Sequence, residues 1–175
     1  MITFIFTTAA LLSHIFFVGV LLVLIFNQKV RGLVYDFVNK YVVWLLFLTS
    51  FSALIGSLLY SEIIGFPPCD LCWIQRIFMY PQVALAFMAL IKKDKSIAGY
   101  LLPLSLMGAI VSLYHSLTSW GFGASLLACT AVGGACSKVF VLSYGYITIP
   151  FMSFTVFAYL ILTSIIYYKS KQKII

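Results

Sequence analysis

The sequence predicts an all-α integral membrane protein, and three observations carry that prediction. First, 63% of the 175 residues are hydrophobic and only 9% are charged, whereas a soluble domain carries about 25% charged residues. An apolar excess of that size cannot be hidden inside one soluble core of this length. Second, the stretches 2–28, 41–61, 77–91, 96–137 and 139–168 contain no Asp, Glu, Lys or Arg. Third, the eleven Lys and Arg residues behind the formal net charge of +7 cluster at a few sites between those stretches. That distribution suits orientation across a lipid bilayer and not contact with a phosphate backbone. A cytosolic enzyme, a nucleic-acid binder and a disordered chain are thereby excluded.

A helix needs about 20 apolar residues to cross the hydrocarbon, so five spans are expected, at about 3–26, 41–60, 70–91, 97–117 and 147–168. The first, within 1–28, has no basic leader and an apolar run longer than a signal peptide uses. It is therefore read as a retained N-terminal span. Residues 29–40 form a basic connection with Lys29, Arg31 and Lys40. Pro81 lies inside the third helix and should bend it. Pro103 and Pro150 fall near helix starts, where a missing N–H costs little. Gly121, Gly123, Gly133 and Gly134 make the second half of 96–137 irregular. Nine basic residues flank three alternate segments: 29–40, 92–95 and the tail 169–175. On the other side Glu62 and Asp70 balance Arg76 and Lys138. The positive-inside rule then puts the N-terminus outside and the C-terminus in the cytoplasm.

The four cysteines all fall on the outer side by this topology. Cys69 and Cys72 lie two residues apart, and Cys129 and Cys136 lie in the long outer connection. Disulfides persist in such compartments, and three readings of the cysteines stand side by side. Structural staples suit Cys129 and Cys136. They suit Cys69 and Cys72 poorly, because so short a loop gains little by closure. Zinc binding would want two similar knuckles, which these unequal spacings do not supply. Redox exchange fits Cys-X-X-Cys at a helix start, where the helix dipole favours a thiolate. Pro67 and Pro68 should open that helix, and Cys69, Cys72, Arg76 and Tyr80 recur at helical spacing on one face. His115, near the outer end of the fourth helix, shares the depth of Arg76 and is a candidate for handling protons or touching a cofactor. His14 has no comparable neighbours in the sequence.

The run Pro68-Cys69-Asp70-Leu71-Cys72-Trp73-Ile74-Gln75-Arg76, with Phe78-Met79-Tyr80-Pro81 after it, carries a resemblance. So do Tyr114-His115, the pair Cys129 and Cys136, and Tyr146-Ile147-Thr148-Ile149-Pro150. Over about 41–168 the chain is similar to the DsbB/BdbC family of membrane disulfide bond formation proteins, and closer to the BdbC branch. The resemblance implies a four-helix transmembrane bundle in the bacterial plasma membrane, here with one extra N-terminal helix. It implies oxidation of an extracytoplasmic thioredoxin-like thiol oxidase and transfer of the electrons to a membrane quinone, menaquinone or ubiquinone. Cys129 and Cys136 would exchange with the partner, and Cys69 and Cys72 would be reoxidised by the quinone. Arg76, and by its depth His115, would lie beside the quinone ring; on physical grounds, a Cys72 thiolate stabilised by the helix N-terminus and Arg76 is the expected electron donor. Two other classes fit less well: a quinone reductase of the vitamin K epoxide reductase type, and a non-enzymatic membrane subunit braced by its disulfides.

Overall fold

The structure, a computed structural model, describes residues 2–122 and 139–172. Cys129, Cys136 and Lys138, and the glycines at 123, 133 and 134, lie outside the described residues. Five long helices run through it: α1 (Ile2–Phe26), α2 (Gln28–Leu58), α3 (Asp70–Lys92), α4 (Ile97–Ser119) and α5 (Ile149–Gln172). Each is long and apolar enough to cross a membrane. Among the described residues there is no strand, only a bridge between Ser143 and Ile147. α2 to α5 pack as a ring, in the order α2, α3, α4, α5 and back to α2, while α1 leans on α2 and α5 from outside.

One expected boundary is wrong. The connection at 29–40 is helical, part of the first half of a 31-residue α2 that is separated from α1 by Asn27 alone. Asn27 takes an extended conformation and its side chain accepts from the Val30 N–H at 3.2 Å, which caps the new helix. The charges there mark where the chain leaves the hydrocarbon, and a helix does not have to end at that depth. Pro103 is also deeper than expected. α4 begins at Ile97, which puts Pro103 past the free N–H groups of its first turn. Pro81 lies inside α3 as anticipated.

The ring is sealed by Val42, Leu46, Ala86, Ala98, Leu101, Phe157 and Leu160, all fully buried. α4 and α5 approach so closely that a Cβ on Gly108 would collide with the ring of Phe157. Two deep polar groups satisfy each other, as spanning segments require, whereas the buried Ser164 hydroxyl has no partner among the described residues. The Ser105 hydroxyl donates to Gln82 Oε1 at 2.9 Å, and Gln82 Nε2 donates to the Phe78 carbonyl at 2.9 Å.

The three basic segments meet at one end of the ring. Lys95 Nζ donates to the Asn39 carbonyl at 2.7 Å, and Tyr168, beside Lys169, packs its hydroxyl on Gly99. The opposite end carries the Cys69 turn, the end of α4 and the segment 139–148. There Trp120 Nε1 donates to the Tyr146 carbonyl at 3.1 Å.

Candidate redox site

The site begins with how α3 starts. Gly65 has φ +81, a left-handed conformation that suits glycine, and it turns the chain into the extended pair Pro67-Pro68. Cys69 follows at the cap, φ −82 and ψ 173, and its sulfur accepts from the Cys72 N–H at 3.4 Å. A thiol thus occupies the position where Ser, Thr or Asp usually satisfies a free helix N–H. Asp70 lies in the first turn, where the dipole favours a negative charge.

Both cysteines are thiols, and their sulfurs stand 2.9 Å apart. Two thiolates on one tetrahedral zinc would stand about 3.8 Å apart. His115 Nε2 completes a cluster of three metal-capable atoms, but the sulfurs stand closer than two zinc-bound thiolates do, as suits a pair that closes to a disulfide.

His115 is buried at the end of α4, with Nε2 3.7 Å from Cys69 Sγ. Its other nitrogen, Nδ1, is 3.0 Å from Gln75 Nε2. An amide nitrogen can only donate, so Nδ1 accepts and the ring proton sits on Nε2, facing the sulfur. A hydrogen bond from the Cys72 thiol holds the Cys69 thiol well below the usual thiol range; burial opposes this and His115 adds to it. The hydrogen bonds therefore gather negative charge on Cys69, whereas the sequence suggested a thiolate at Cys72. The reason is local: the Cys72 thiol and His115 both turn their protons toward Cys69, and the N–H it receives at the cap adds a smaller share.

Arg76, one turn below Cys72, is half-buried. Its Nε donates to the Ser57 hydroxyl at 3.0 Å and an Nη to the Ser57 carbonyl at 3.3 Å. Its guanidinium lies over the Trp73 ring, 5.0 Å from the centroid. Such a cation is expensive at membrane depth unless held in this way.

Cys69, Cys72, Arg76, Tyr80 and His115 line one cavity of about 380 Å³, so the structure brings together every described candidate. Gln75, Ser57 and Tyr60 belong to the same wall and were not singled out from the sequence. Gln75 lies one position before Arg76, and only the fold shows that it meets a histidine 40 residues away. Most of the remaining lining is apolar, including Met79, Val141, Pro150 and Val156. A wall of this kind fits a flat, lipid-soluble ring with a few polar atoms.

A family model described as "Disulfide bond formation protein DsbB" matches residues 39–167. "Probable disulfide formation protein C 1" of Bacillus anthracis is 42% identical over 127 residues, covering 70% of this chain and 88% of its own length. "Disulfide bond formation protein C" of Bacillus subtilis (strain 168) is 39% identical over 110 residues, 63% of this chain and 80% of its own length. "SPbeta prophage-derived disulfide bond formation protein B" of the same strain is 41% identical over 114 residues, 65% of this chain and 76% of its own length. No solved structure gives a significant match.

Proposed function

The chain belongs to the DsbB family of disulfide bond formation proteins, and from that premise we propose that it oxidises an extracytoplasmic thioredoxin-like thiol oxidase at the expense of a membrane quinone. The chain is a multi-pass membrane protein acting as a disulfide-forming oxidoreductase. The observation that carries it is a Cys69–Cys72 pair at a helix N-terminus, opening into an apolar cavity that also holds Arg76 and His115.

In this reading the sulfur end faces outward and the basic end faces the cytoplasm. A thiolate of the partner attacks the Cys129–Cys136 disulfide, and the second partner thiol resolves the mixed disulfide. The partner leaves oxidised. The dithiol formed at Cys129 and Cys136 then reduces the Cys69–Cys72 disulfide by the same exchange. Oxidation of Cys69 and Cys72 back to a disulfide releases two electrons and two protons. A quinone, when bound, supplies the two-electron, two-proton acceptor chemistry. Cys72, half-buried on the cavity face, presents its sulfur to that acceptor. Cys69 stores the negative charge under its cap hydrogen bond and the Nε2 proton of His115. Arg76, held by Ser57, would supply a fixed positive charge to a bound ring's oxygens.

Anaerobic mixing of the full chain with a reduced thioredoxin-like dithiol protein and a quinone tests the reading. One quinone consumed per partner disulfide formed is expected, and Cys72→Ser is expected to abolish consumption. An unchanged quinone spectrum with every dithiol partner tried would overturn it.

A further inference from the structure

The helix before the family-matched segment reaches the cavity. α1 ends at Phe26, well short of residue 39 where the family match begins, yet Phe6, Ala9, Ala10 and Ser13 line the same space as the two cysteines. Polar ties hold α1 there. The Tyr159 hydroxyl donates to the Ser13 carbonyl at 2.6 Å, and the Ser13 hydroxyl lies 3.2 Å from Tyr159. His14 is bracketed by Thr155 Oγ1 at 2.7 Å from Nε2 and by the Tyr146 hydroxyl at 3.2 Å from Nδ1. These bonds account for a histidine to which the sequence assigned nothing.

A second observation points to a ligand. Tyr60 is 7% exposed, lines the cavity, and its hydroxyl has no hydrogen-bond partner among the described residues. Its ring is clamped by Phe6 of α1, with centroids 5.7 Å apart, and by Phe66, stacked at 6.1 Å. It lies on a single wide turn, Leu59–Ile63, where the Ile64 N–H reaches back to the Leu59 carbonyl. Such π-turns recur at functional sites. A buried hydroxyl left unpaired is costly, and a ligand oxygen relieves that cost.

We propose that the Tyr60 hydroxyl donates a hydrogen bond to a carbonyl oxygen of the bound quinone, and that α1, through Phe6 against Tyr60, forms the lateral wall of that site. The inference rests on the quinone reading above. A lipid acyl chain would fill the same apolar space but offers Tyr60 no acceptor. Quinone binding in this chain then uses five helices, and the family-matched four do not complete the pocket.

The test uses the full chain in lipid nanodiscs and two readouts: equilibrium binding of decylubiquinone and a short-chain menaquinone analogue without turnover, and steady-state quinone reduction. Tyr60→Phe, which keeps the ring and its packing, is expected to weaken binding and raise the quinone KM by about five- to tenfold with kcat retained. Phe6→Ala is expected to act in the same direction. Phe16→Ala, on the lipid-facing side of α1 and 65% exposed, is expected to change neither. Unchanged binding in both Tyr60→Phe and Phe6→Ala, with normal turnover, overturns this inference and leaves the proposed function standing. Weakened binding in a chain that never reduces quinone overturns the function and leaves the site. Absence of quinone binding to the unaltered chain overturns both.

Discussion

The two ends of the bundle handle charge in opposite ways. At the basic end Lys29, Lys40, Lys92, Lys93, Lys95, Lys169 and Lys171 are exposed, and Arg31 alone of the described basic residues there is half-buried. Lys95 bonds a backbone carbonyl, and Asp94 Oδ1 accepts from the Ser96 N–H at 2.8 Å. At the sulfur end the cation lining the cavity, Arg76, is half-buried and tied to Ser57, and the buried His115 is pinned between Gln75 and Cys69. Charges that only need to stay in water are numerous and individually dispensable. The polar groups around the two cysteines are few, partly or fully withdrawn from water and held by named partners, and electrostatic interactions strengthen where water is excluded.

Substitutions at each end sharpen that contrast. The largest effect is expected for Arg76→Leu, which removes a charge facing the cavity and leaves Ser57 without its donor. Quinone affinity should fall about 10- to 100-fold, while thiol exchange among the cysteines, followed by alkylation and gel shift, persists. Equal loss of both activities would place Arg76 in the sulfur chemistry instead. A smaller effect is expected for Gln75→Leu, which leaves buried His115 Nδ1 without a partner and frees the tautomer. Turnover should fall about three- to tenfold with quinone KM unchanged, and stability should drop by about 1–3 kcal/mol. The smallest is expected for Lys95→Ala, an exposed site with one hydrogen bond to Asn39. Thermal stability in detergent should change by about 0.5 kcal/mol or less, with turnover intact. A large loss there would mean that the basic end supports the ring and not only its orientation.

Much of this was legible in the sequence. Charge-free stretches, trimmed by the proline and glycine signals beside them, locate α3, α4 and α5 to within about four residues, because the bilayer disfavours unpaired charge over a fixed length. The cap role of the Cys69 turn follows from Pro67, Pro68 and Asp70 by local rules. Two kinds of feature stayed hidden. One is helix that continues outside the hydrocarbon, as at 29–40, where charge marks depth and not helix ends. The other is pairing across long separations. Gln75 meets His115, and Ser57 meets Arg76, only because α3 fits between α2 and α4. Tyr60 reads as one more interfacial aromatic until the cavity behind it is seen.

Asn27, the single residue between α1 and α2, bears on how firmly the outer helix stays in place. Among the described side chains of α1 only Thr7 is buried, so α1 has little contact area of its own with which to bind the ring. A one-residue tether keeps it at an effective concentration of the order of millimolar or above at its groove. A handful of hydrogen bonds, weak as an intermolecular affinity, is then sufficient to keep it docked. Severed at that point, the same helix would have to find its groove by lateral diffusion among lipids that solvate it equally well.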